Sequence, residues 1–152
     1  EFQAVVIYDQ LQHQEELKKK REANAELLRK YLKDTPALKM QASSCPDDER
    51  AYYFPTFLLE LEKLKPGVDR TMIFAALNAE GVLFHEGWGC PLYKCPMWNV
   101  PKDKYMKHDT SVCEEVMYKR VMACSNTLLL TESWVIEKCA YALMKVMNAY
   151  AE

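Results

Sequence analysis

Glycine is scarce, with 4 in 152 residues. Few glycines exclude a fold made of many tight turns and favour long regular elements. No apolar run approaches the roughly 20 residues that a membrane span needs. The given residues show no basic leader followed by an apolar stretch and a small-residue cleavage site. An excess of one charge is missing too. Lys+Arg number 20 against Asp+Glu 22, a formal net charge of -2, so there is no basic footprint for nucleic acid and no acidic tail. The 6 cysteines lie far apart in a chain rich in helix formers. They read as reduced thiols of a cytoplasmic protein more than as a disulfide framework. Internal repeats and low-complexity segments are absent from the sequence.

What is present suffices for a packed core. The chain is 49% hydrophobic and 28% charged, which fits one ordinary domain and excludes disorder. From Glu1 to about Asp34 there is neither proline nor glycine. Phe2, Val5, Val6 and Leu11 make the first turns apolar on nearly every side, while "HQEELKKKREANAE" is almost wholly polar. One connector helix, buried at one end and crossing open surface beyond it, accounts for both. Glu16 with Lys20, and Lys18 with Glu22, have the spacing of helical ion pairs.

Pro36 closes that helix, and "QASSCPDDER" is loop chemistry. "AYYFPTFLLEL" reads as a strand in which Pro55 marks an edge or a bulge. Asp69 is a good N-cap for a helix through Asn78, and Gly81 is its natural stop. "VLFH" reads as a second strand. Ser111 with Glu114 makes a capping box for a helix to about Met122. "NTLLL" reads as a third strand, and Glu132 to Ala149 as a final amphipathic helix carrying Val135, Cys139, Leu143 and Val146 inward. Short strands between helices predict a small two-layer α/β sandwich.

The stretch "FHEGWGCPLYKCPMW", Phe84 to Trp98, concentrates chemistry. His85, Cys90, Cys95, His108 and Cys113 are legal zinc ligands, but their spacing matches no paired knuckle. Cys90 or Cys95 with His85 as base would make a nucleophile, on residue types alone. A third reading is a binding wall. Trp88, Tyr93 and Trp98 offer flat faces, His85 and Lys94 offer polar handles, and Gly87, Gly89, Pro91 and Pro96 fix the turns. Against it stands a purely structural role, with the aromatics capping the sheet.

Taken in order, these segments resemble the C-terminal part of the DegT/DnrJ/StrS family of sugar aminotransferases. The long helix matches through Glu1, Gln3, Ala4, Gln10, Leu11, Arg21 and Asn24. "YYFPTFLLE" is similar to the first strand of that family's small domain. The helix, turn and loop segment matches through Gly81, Val82, Pro91, Tyr93, Pro96 and Trp98. "CEEVMYKRVMACSNTLLLTESWVIEKCAYALMKV" is similar to the closing helix–strand–helix. The resemblance covers nearly the whole chain.

The resemblance implies a fold and a reaction. The fold is the α+β small domain of the fold-type I aminotransferases, a two-layer sandwich of a mainly antiparallel sheet with helices. Residues 1–34 would be its connector helix and 51–152 the small domain, within a single C-terminal unit of a larger enzyme. The parent would use pyridoxal phosphate to move an amino group from glutamate or glutamine to a keto-sugar or cyclitol. No lysine here stands in the context of the family's Schiff-base lysine. The expectation is therefore a chain with no catalytic, cofactor-binding or metal-binding residue of its own, inactive when isolated. His85, Trp88, Tyr93 and Lys94 are the expected substrate contacts. A homo-oligomer with its site at the subunit interface is also implied, without nucleic-acid or membrane partners. Two alternatives stay open: a self-contained binding or dimerisation domain, and a zinc-stabilised module.

Overall fold

The computed structural model describes residues 1–42, 50–106 and 108–152. Two helices open the chain, α1 over Phe2–Gln12 and α2 over Gln14–Leu32. The single expected helix is thus interrupted at His13, whose N–H bonds back to the Gln10 carbonyl and tightens the turn. It also ends earlier than expected, with Thr35 N–H bonding to Leu32. In α2 the buried side chains Asn24, Ala25, Leu28 and Leu32 form one stripe. In α1 no residue is buried. Lys20 pairs with Glu132 at 2.9 Å, which ties α2 to the start of the last helix.

Three short strands form one antiparallel sheet in the order β1–β2–β3, with β1 at Leu38–Met40, β2 at Thr56–Leu59 and β3 at Val121–Ala123. Phe57 faces Met40 on one side and Met122 on the other. Only β2 lies within a segment expected to be a strand. Pro55 sits just before β2, the central strand, where no ladder N–H is lost; it marks neither an edge nor a bulge. "VLFH" contributes a single bridge, His85 to Ala123.

Helix α3, Arg70–Ala79, follows local chemistry closely. The Asp69 carboxylate accepts from Met72 N–H at its start. At its end Gly81 adopts φ 81, Gly81 N–H bonds to Asn78 and Val82 N–H to Leu77, a Schellman stop.

The expected helix from Ser111 is shorter and differently capped. Helix α4 covers Ser111–Glu115, with Thr110 at the cap position. Glu114 accepts from the Thr110 hydroxyl and not from a Ser111 box. A π-helical turn, Val116–Arg120, leads straight into β3. The Arg70 guanidinium donates to the carbonyls of Met117 and Val121 at 2.9 Å each, which ends the helical ladder there.

"NTLLL" is a 3-10 turn over Asn126–Leu130 and not a strand. Ser125 caps it by accepting from Thr127 N–H. The Asn24 side chain takes the Leu129 and Thr131 carbonyls, so they meet a helix and not a neighbouring strand. Helix α5, Ser133–Tyr150, buries Ile136, Cys139, Ala140, Leu143, Val146 and Met147. Its inward face is turned slightly from the expected one, with Val135 at its margin. The core joins α2, α3 and α5 to the sheet through Leu28, Phe57, Ile73, Leu77, Leu129 and Leu143, each 0% exposed.

Candidate functional site

The loop after α3 begins where His85 pairs with Ala123 beside β3. His85 N–H donates to Ala123 O, and Ala123 N–H donates to His85 O, both at 2.8 Å. That bridge fixes the loop root to the end of the sheet. Gly87 and Gly89 then adopt φ 69 and φ 77, which glycine reaches without strain. Gly87 N–H donates to His85 Nδ1 at 3.0 Å.

These turns bring Trp88 against the residues just before β2. Its indole lies parallel to the Tyr53 ring, with centroids 5.7 Å apart and an interplanar angle of 9°. Phe54 meets Trp88 edge-on at 5.7 Å and His85 edge-on at 4.9 Å. The wall is not sealed into the core, since Tyr53 is 63% and Trp88 72% exposed. Beside it opens a cavity of about 520 Å³, walled by Tyr52, Tyr53, Phe54 and Trp88, with Met117 and Arg50 among the other lining residues. Tyr52 holds an unusual left-handed backbone, φ 49, at the turn that carries this aromatic run into β2.

The second half of the loop is organised around one carboxylate. Glu114 accepts from the Tyr93 hydroxyl at 2.9 Å, from Lys94 Nζ at 2.6 Å and from the Thr110 hydroxyl at 3.2 Å. The Lys94 bond, then that of Tyr93, holds the Glu114 carboxyl down at about 2. In return Glu114 raises the Lys94 ammonium above its usual range. Lys94 also lies over the Tyr118 ring at 5.6 Å. Tyr93 and Lys94 therefore pin the 3-10 turn Leu92–Lys94 to α4.

The four expected contact residues thus fall into two groups. Trp88 lines the cavity and His85 buttresses Phe54 behind it. Tyr93 and Lys94 meet Glu114 and do not line the cavity. Residue types alone did not reveal Tyr53, Phe54 or Arg50 as partners. The "AYYF" run carried the signal, but an aromatic run beside a strand reads first as core. Trp98 packs edge-on against Tyr105 at 5.9 Å, away from Trp88.

The thiol and metal readings gain no geometry. Among the described residues no three His, Cys, Asp or Glu side chains converge as a metal set. Cys90, Cys95, Cys113, Cys124 and Cys139 carry no disulfide. Burial pushes the Cys124 thiol up to about 12 and the Cys139 thiol up to about 11, which makes both poor nucleophiles.

Comparison with known proteins agrees with this architecture. Residues 1–138 match the model of the DegT/DnrJ/EryC1/StrS aminotransferase family, and the chain belongs to that family. The fold is similar to that of an aminotransferase from Psychrobacter cryohalolentis, with TM-score 0.79 and 18% identity over 97% of this chain and 38% of that one. It is also similar to PseC of Helicobacter pylori, an aminotransferase involved in the biosynthesis of pseudoaminic acid. There the TM-score is 0.70 and the identity 16%, over 94% of this chain and 36% of that one. A third likeness is to 3-amino-5-hydroxybenzoic acid synthase, with TM-score 0.68 and 14% identity over 92% of this chain and 36% of that one. At such identities the likeness is one of fold. The chain spans well under half the length of these structures. No curated protein matches it. The mixed helices and small antiparallel sheet are the α+β small domain of the fold-type I aminotransferases. Among the described residues no helix is long and apolar enough to cross a membrane.

Proposed function

We propose that this chain forms one wall of the amino-acceptor site of a cytoplasmic, pyridoxal-phosphate-dependent aminotransferase. The acceptor is a keto-sugar or cyclitol and the donor glutamate or glutamine. The observation that carries the reading is the open aromatic cavity beside Trp88, in a chain of this family. Residues 1–34 act as the connector and 51–152 as the small domain of one unit, which works as a homo-oligomer.

The cavity does not fit the cofactor by itself. Among the described residues, no lysine and no acidic residue is in its lining. Lys94, the lysine of the loop, is charged and held by Glu114. An amine that attacks an aldehyde must be neutral and free. The chemistry of amino transfer thus belongs to groups outside this cavity, and this chain positions the acceptor.

In that role Trp88 offers the face on which an acceptor ring rests, and His85 holds Phe54 in place behind it. Tyr93 and Lys94 set the loop through Glu114 and so act on the acceptor wall indirectly. Stopped-flow kinetics of the two half-reactions in the whole enzyme test the reading. Trp88→Ala should lower kcat/KM for the acceptor by roughly ten- to hundredfold and leave donor charging nearly unchanged. Equal losses in both halves, or none in either, would refute it.

A further inference from the structure

Among the described residues that line the cavity beside Trp88, one carries a charged side chain, Arg50. Among the described residues no acid stands opposite it in that lining. Arg50 is half-buried, and among the described residues it makes no hydrogen bond or ion pair. Three other cations near the loop and the π-helical turn are committed, and Lys119 of that turn is not among the cavity's lining residues. Lys94 is held by Glu114, Arg70 by two backbone carbonyls, and Arg120 by Glu62 and Glu115. A guanidinium that is partly out of water has five donors in a planar fork and no acceptor of its own. Its best partner is a carboxylate or phosphate, taken in a bidentate grip.

The rest of the wall is flat and apolar. Tyr53 and Trp88 are already parallel, at 5.7 Å, and present their outer surfaces together with the edge of Phe54. Such a wall rewards a ring face and has no charge to balance a second one.

We infer that this cavity recognises a flat ring bearing an oxyanion, with Arg50 gripping the anion and the Tyr53–Trp88 pair receiving the ring. The inference rests on the acceptor-site reading and narrows it. A neutral polyol brings the Arg50 guanidinium no counter-charge, whereas an anionic ring matches both halves of the cavity as the described residues form it. A carboxylate and a phosphate share the chemistry that Arg50 reads.

Calorimetric titration of the 152-residue chain with 4-hydroxybenzoate, phenyl phosphate and the neutral 4-hydroxybenzamide tests this. At least one anion should bind about 10-fold or more tightly than the amide. The tighter of the two anions tells carboxylate from phosphate. Arg50→Gln should erase the preference for the anion, and Arg50→Lys should keep part of it. Trp88→Ala should weaken charged and neutral rings alike and preserve their ratio. Equal binding of benzoate, phosphate and amide would overturn the inference. So would a preference that survives Arg50→Gln in a variant whose circular dichroism matches the parent, or no binding of either anion. These are equilibrium readouts on this chain. A failure of amino transfer in the whole enzyme, with anion preference intact, would strike the acceptor-site reading alone.

Discussion

The Asn24 carboxamide donates to the Leu129 carbonyl at 2.8 Å and to the Thr131 carbonyl at 2.9 Å. One side chain thereby fastens the connector helix to the 3-10 turn that precedes α5. Asn24 is a motif residue whose role here is architectural. Asn24→Ala leaves the buried Leu129 carbonyl without that donor and should cost about 1–3 kcal/mol. Asn24→Asp should cost more, because a carboxylate would face two carbonyl oxygens. Urea unfolding of the three proteins checks both values, and unchanged midpoints would contradict the assignment.

The Glu114 cluster gives the loop an acid limit. Its carboxyl is depressed to about 2, through Lys94 first and then Tyr93. A depressed carboxyl stabilises fully above the ordinary glutamate range and loses that contribution as pH falls from there toward 2. Tryptophan fluorescence should therefore report a loosening of the loop that carries Trp88 and Trp98 over that acid window. Glu114→Gln should remove the acid-dependent component and loosen the loop at neutral pH. A variant with the parent's acid profile would mean that another group titrates.

Helix α1 carries an apolar surface that no described residue covers. Phe2 is 91% exposed, Val5 67%, Val6 55% and Ile7 57%. A contiguous patch of this kind drives association in water. The chain should self-associate as its concentration rises, and Ile7→Lys should shift it toward monomer. Sedimentation velocity reads both, and a clean monomer at high concentration would contradict the expectation.

Pyridoxal phosphate offers a direct check on Lys94. Its ammonium is raised by Glu114, so little free amine is present near neutrality. Borohydride reduction of the chain mixed with pyridoxal phosphate should give no stoichiometric label at one lysine. Stoichiometric label at Lys94, found by peptide mapping, would return that residue to the cofactor.

Local chemistry was legible in the sequence, and distant partners were not. The Asp69 cap and the Gly81 stop depend on residues a few positions away, and both appear as expected. The 3-10 turn at Asn126–Leu130 depends on Asn24, separated by 105 positions from Leu129, and three leucines in a row do not announce it. Strand β1 is three residues long and too short to show alternation. Strand β3 was hidden inside a helical pattern, because Arg70 ends that helix from outside by taking its carbonyls. At the site, Trp88 stood out as a large ring between glycines. Tyr53 did not, because the turn at Tyr52 that frees it from the strand leaves no signature in residue type. Glu114 was legible as a cap and not as the anchor of Tyr93 and Lys94.

The π-helical turn at Val116–Arg120 places Met117 and then Val121 on the cavity's lining. A π turn holds one residue more than an α turn needs. Removing Met117 there would let the ladder close as α-helix while α4 and β3 kept their directions. Met117 would leave the lining while Trp88, Tyr53 and Arg50 kept their places. The breadth of ligands accepted by this wall can thus change through chain length at one turn, with every recognition side chain unaltered.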